Sequence, residues 1–266
     1  MRWNDSLPAM SSLIAAAASL LVFCAPGYPG TSGDAQPLVG DFAATLAAAA
    51  AWPAGSLTAV YDASEQSDLQ RLAAPDATLA FVPYPFFLQH GTALHLTPLA
   101  QADVAPAGVA QRWTLVMKKG HPAPPAGLAG MTIISTAGYA PDFVRYALHG
   151  LGPLPADTAI TPTGQVLSAL RRAANGDPVA VLLDQEQAAA LASLPFAAQL
   201  QPVATSPAVP VALIVNVAGR VPKARADTLQ QALLHLSGTA AGAATLSRLR
   251  LNGFVAPRSG PVPATP

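Results

Sequence analysis

Apolar positions along this chain follow two rhythms. Leu20–Ala25, Leu57–Tyr61, Thr78–Val82, Trp113–Lys118, Met131–Ile134, Val179–Leu183 and Val211–Val217 are short apolar runs. Runs of this length and composition read as buried strands. Between them the spacing changes to the helical period. Asp34–Ala51 places Leu38, Phe42 and Leu46 on one face and stops short of Pro53, because the residue before a proline tends to leave helical geometry. Ser64, followed by Ser67, Asp68 and Leu69–Leu72, reads as a short capped helix. Further helices are expected over Pro141–Leu148, Gln165–Ala174, Gln185–Leu194, Ala226–Leu236 and Ala240–Leu249. Strands alternating with helices predict an α/β chain with a doubly wound, mostly parallel sheet. In such sheets ligands collect at the carboxyl ends of the strands.

Composition narrows the function classes. At 266 residues the chain can bury one large core or two lobes of ordinary size. It is 52% hydrophobic and 11% charged, too apolar to be disordered in bulk. Fourteen basic residues balance fourteen acidic ones without clustering, so neither a nucleic-acid partner nor an anionic membrane surface is expected. The single Cys24 excludes an intramolecular disulfide, and the five histidines are scattered, so no metal site is expected. The sequence has no P-loop, no GxGxxG after the first strand and no GxSxG elbow, and no cofactor is expected. Arg2 followed by apolar Leu13–Phe23, with Ala16–Ala18 as a small-residue cleavage point, reads as a secretory signal over residues 1–18. The competing reading makes Leu20–Ala25 the first strand; both hold if cleavage falls near Ala18 and Ser19. The Pro-rich stretch 258–266 reads as a flexible tail.

Candidate chemistry concentrates in Met131–Tyr146, a strand, a hydroxyl-rich turn and a helix start. Such a unit aims free backbone N–H groups and a helix dipole at one point, where small hydroxyls complete a cradle for an oxyanion. The competing reading is that Ser135 or Thr136 merely caps the helix. Tyr28, Thr31, Ser32 and Tyr84 each follow an expected strand and would line the same kind of pocket, although Tyr84 could equally be core. Asp184, at the end of Val179–Leu183, is either a ligand contact or the N-cap of the following helix.

Taken in order, these segments resemble the type 2 periplasmic solute-binding proteins, and most closely the phosphate, phosphite and phosphonate branch of ABC-transporter binding components. Ser135-Thr136-Ala137-Gly138-Tyr139-Ala140-Pro141 is similar to that family's Ser-Thr-Ser-Gly-Tyr-x-x-Pro anion loop. Ala137 replaces a hydroxyl residue, and the proline comes one position early. Leu128–Thr132 is similar to the lead-in to that loop, and Asn175–Asp184 to the segment carrying the second-lobe acid. Thr163-Gly164 stands where the family often shows a polar or aromatic contact. Ser206-Pro207-Ala208-Val209-Pro210 resembles the Ser-Pro-x-x-Pro return crossing.

The resemblance implies two α/β lobes joined by two crossing strands: 19–112 plus 205–257 as lobe one and 113–204 as lobe two. It also implies a monomeric periplasmic protein that closes on a small oxyanion and hands it to an ABC permease. Ligand contacts would include Ser135, Thr136, Gly138 and Tyr139, with Tyr84 as the aromatic after the third strand. A small-molecule lyase on the same scaffold and a ligand-sensing subunit are the alternatives, since fold alone does not settle function.

Overall fold

The structure is a computed structural model describing residues 19–27 and 32–257. Two sheets with helices on both faces divide the chain. The six-stranded sheet contains β1 (Ser19–Cys24), β2 (Leu57–Asp62), β3 (Ala77–Pro83), β4 (Leu96–Val104), β12 (Ala212–Val217) and β13 (Leu251–Val255). Its order is β13-β4-β12-β3-β1-β2. α1 (Ser32–Ala49), α7 (Lys223–His235) and α8 (Ala240–Arg248) cover one face; α2 (Glu65–Ala73) and α3 (Tyr84–His90) cover the other.

The period of two explains this layering. Leu21 and Phe23 point at Phe42, Leu46, Leu229 and Leu246, whereas Leu20, Val22 and Cys24 point at Leu72, Phe86 and Phe87. Every residue of β1 is buried, so the strand reads as a continuous apolar run. Burying a side chain such as Phe42 stabilises the fold by roughly 1.5–3 kcal/mol.

The second sheet is built from β6 (Thr114–Lys118), β7 (Thr132–Ser135), β8 (Ala159–Pro162), β9 (Val179–Leu183) and β10 (Leu200–Thr205), in the order β10-β6-β9-β7-β8. α4 (Pro141–Ala147) packs Phe143 and Val144 against Trp113, Leu115 and Ile133. α5 (Val166–Asn175) packs Ala169, Leu170 and Ala173 on Val116, Val181 and Leu183 of the other face. α6 (Gln185–Ala190) follows β9.

Between the sheets lies a two-stranded antiparallel ribbon of β5 (Ala110–Gln111) and β11 (Val209–Pro210). Ser206 fastens the crossings together. Its N–H donates to the Trp113 carbonyl (2.8 Å) and its hydroxyl accepts from the Trp113 N–H (2.9 Å). The Arg112 guanidinium donates to the Ser206 carbonyl (2.8 Å).

The structure departs from the sequence reading in three respects. The sheets are mixed. β3-β1-β2 and β9-β7-β8 are parallel, but β12 runs antiparallel to β3 and β4, and β6 antiparallel to β9 and β10. Strands reached directly from a crossing enter against the local direction. Secondly, the segment from Tyr84 is a helix. Pro85 falls in its first turn, where the missing N–H has no intrahelical role. Thirdly, β4, β8, β10, β13 and the short β5 and β11 have no counterpart among the expected strands. β4 carries Pro98 within the sheet, tolerated beside a register shift against β12. The expected signal at 1–18 and tail at 258–266 lie outside the described residues. Among the described residues no helix is long and apolar enough to cross a membrane.

Candidate functional site

The turn after β7 is the junction at which lobe two meets lobe one. Ser135 is fully buried. Its hydroxyl donates to the Leu182 carbonyl (2.8 Å) and accepts from the Ala137 N–H (3.2 Å). Its carbonyl accepts from Gly138 (3.1 Å) and Thr163 (2.9 Å). Ser135 therefore ties the ends of β7, β8 and β9 together, and its hydroxyl hydrogen is already engaged. Gly138 is there because a Cβ at that position would stand 2.2 Å from the Thr161 carbonyl oxygen.

At the start of α4 the Asp142 N–H donates to Gln89 Oε1 (3.0 Å), and Gln89 Nε2 donates back to Asp142 Oδ2 (3.3 Å). A side chain of α3 thus fills the role of a cap that α4 itself does not supply.

Thr136 differs from its neighbours. The residue is 5% exposed, and its hydroxyl oxygen is buried with no hydrogen-bond partner. Gly27, just beyond β1, lies against it: φ is +82°, and a Cβ there would be 2.4 Å from the Thr136 carbonyl oxygen. The loop after β1 and the loop after β7 therefore touch. Beside this contact is a cleft of about 400 Å³, with Gly27, Ser64, Glu65 and Gln66 on one wall and Tyr139, Thr163 and Gly164 on the other.

Tyr84 and Tyr139 both pack against the cores of the two lobes. The Tyr84 ring meets Phe143 edge-on at 6.3 Å, and burial pushes its phenol up to about 12. The wall from α2 is acidic. Glu65 accepts from His90 at 2.8 Å, and Asp62 accepts from the Ser64 N–H at 3.1 Å. Among the described residues no Lys or Arg lines this cleft.

The structure thus brings Tyr139 to the cleft wall, with Thr136 buried behind Gly27 and Tyr84 packed between the two cores. Ser135 and Gly138 frame the turn. Asp184 is a helix cap: its carboxylate accepts from the Gln187 N–H (2.8 Å), while the Gln187 side chain accepts from the Asp184 N–H (3.2 Å). Burial raises its pKa. Of the two readings weighed for Asp184, the geometry supplies the cap, because a cap at N3 satisfies an otherwise orphaned amide. Ser32 is the exposed first residue of α1, whereas Tyr28 and Thr31 lie outside the described residues. Gly27, Gln66 and Gln89 carry no motif of their own. Gln66 lines the cleft and Gln89 caps α4 from α3, contacts between segments distant in sequence, and a glycine in a Pro-Gly turn is the single local signal. No group of His, Cys, Asp and Glu among the described residues could hold a metal ion.

No protein-family model matches the sequence, and no curated protein matches it. Solved structures do. XAC2383 from Xanthomonas citri, bound to ATP, superposes with a TM-score of 0.68 at 12% identity, covering 91% of this chain and 92% of that one. PhnD1 from Prochlorococcus marinus, in complex with methylphosphonate, gives 0.61 at 14% identity, covering 92% and 95%. The binding protein component of an ABC phosphonate transporter from Pseudomonas aeruginosa gives 0.60 at 14%, covering 91% and 82%. Likeness over this span at such low identity establishes the fold, the two-lobed α/β architecture of type 2 periplasmic binding proteins.

Proposed function

We propose that this chain is a solute-binding protein that closes its lobes on one small ligand in the cleft beside Gly27 and Thr136. The observation that carries the reading is the Thr136 hydroxyl, buried without a partner where the two lobes meet. An unsatisfied buried polar group costs about 1–3 kcal/mol, so a ligand acceptor that reached this hydroxyl would relieve that cost. Pockets at the carboxyl ends of parallel strands are the common ligand positions of such sheets.

The ligand class we favour is a small oxyanion, a phosphonate, phosphite or phosphate. It would be held by Thr136, Thr163 and backbone amides and not by counter-charges. Support comes from the likeness of the Ser135–Pro141 loop to the anion loop and from the structural neighbours described as phosphonate binders. Glu65 on the facing wall favours an oxyanion that also carries an amine. Delivery to an ABC permease and a periplasmic location follow from the same reading, and no bond is made or broken.

Thermal-shift titration against phosphate, phosphite, methylphosphonate, 2-aminoethylphosphonate and sulfate tests it. One of them at a hundredfold excess over its dissociation constant should stabilise the protein by about 2.7 kcal/mol. Thr136→Val should weaken that ligand about tenfold, the loss of one hydrogen bond of roughly 1.4 kcal/mol, and the ligand should be recovered chemically unchanged. If none of the five raises the melting temperature, the oxyanion reading is wrong.

A further inference from the structure

Lobe one contains a second cavity, separate from the cleft. It has a volume of about 340 Å³, and Phe23, Leu38, Tyr61, Phe81, Val104 and Val211 contribute to its walls. It lies on the α1 face of the sheet: Phe23 belongs to the core shared with α1, α7 and α8, and Tyr61, Phe81, Val104 and Leu249 pack half-buried at its border. The cleft opens instead beside the first turn of α2, on the sheet's other face. β1, β2, β3 and β4 all run in one direction, and the cavity gathers residues from the carboxyl end of each. That edge is where α/β sheets bind ligands.

We propose that this cavity is a binding site for an uncharged, largely apolar small molecule carrying an aromatic ring. Three observations support it. Its volume is within the size range of ligand pockets. Among the described residues its lining contains no charged side chain and is mostly apolar, so an apolar guest meets few groups that need water. Phe23 and Phe81 stack at 5.1 Å with 27° between their planes, giving a flat wall suited to a ring.

Charge is excluded by the surroundings. Among the described lining residues no cationic side chain is present to pair an anion, and an unpaired charge moved out of water is costly. Among the described lining residues Tyr61 is the one that carries a hydroxyl, able to give a guest a single hydrogen bond.

Fluorescence titration with 1-N-phenylnaphthylamine, an uncharged two-part aromatic, tests the site on the whole protein. Saturable one-to-one binding is expected. Affinity should fall at least tenfold in Ala35→Phe and in Leu38→Trp, which fill the cavity from the rim. Both residues are half-buried on α1, and unchanged melting temperatures would show that the variants fold. The sulfonated analogue 8-anilinonaphthalene-1-sulfonate should bind at least tenfold more weakly. Thr136→Val should leave probe binding unaltered, which separates this site from the cleft. Absence of saturable binding, equal binding by two folded rim variants, or equal affinity for the sulfonate would each overturn the proposal.

Discussion

Asp68→Asn should stabilise the protein at pH 7 by on the order of 4 kcal/mol and flatten its pH dependence between about pH 5 and pH 8. Asp68, on α2, is fully buried, and neither carboxylate oxygen has a hydrogen-bond partner of full geometry. Burial raises its pKa. The adjacent Cys24 thiol opposes the rise, Asp62 and Glu65 add to it, and the result is about 8. The folded protein therefore holds a proton that the unfolded chain, with an ordinary carboxyl near 4, has released.

Over that interval the native state binds more protons than the denatured one, so stability falls as pH rises, by about 1.4 kcal/mol per unit. Asparagine has the shape of the protonated acid and cannot ionise. Denaturant unfolding at pH 5, 6, 7 and 8 should show wild-type stability declining steeply while the variant stays nearly level. Parallel curves for the two proteins would mean that Asp68 is ionised in the native state.

Gly138→Ala is the strongest expected loss. Its Cβ would fall 2.2 Å from the Thr161 carbonyl oxygen and 2.5 Å from the Pro162 nitrogen, both backbone atoms that no rotamer change can move aside. Overpacking of a tight site costs about 1–3 kcal/mol, and backbone obstruction belongs at the upper end. The damage would also reach the cleft. The turn held by the Gly138 N–H to Ser135 carries Tyr139, and β8, pushed away, leads into Thr163 and Gly164. Melting temperature and ligand titration should fall together. A variant that melts within a degree of wild type would show that β8 yields without cost.

The sequence was most legible where a residue's surroundings are local. β1 announces itself because both its faces are covered, and Ser64 caps α2 by accepting from Ser67, three residues on. α3 was hidden by Pro85, whose place in a first turn is indistinguishable by pattern from a loop. β4 was hidden by Pro98, which the neighbouring register shift accommodates. At the site, the hydroxyl turn after β7 was visible, but the division of labour within it was not. Ser135 turns inward because Leu182 offers a carbonyl 47 positions later in the chain, and Gln89 caps a helix 53 residues away. Pairings over such distances leave no trace in spacing.

The fastening of Trp113 to Ser206 has a consequence for how the protein is made. Every strand of the five-stranded sheet lies between Thr114 and Thr205, so that sheet can be completed as soon as this stretch has been synthesised. The six-stranded sheet cannot. β12 sits between β3 and β4, and without it the earlier strands have no common edge. β3, β1 and β2 can pair among themselves, but β4 has no partner and the free edge of β3 stays open until residues 212–217 emerge. That inverts the usual order in which N-terminal units fold first during synthesis, and it makes β4 and the open edge of β3 the part of the chain most in need of protection from aggregation. A chain truncated after residue 206 should resist proteolysis across lobe two while β4 is still cut.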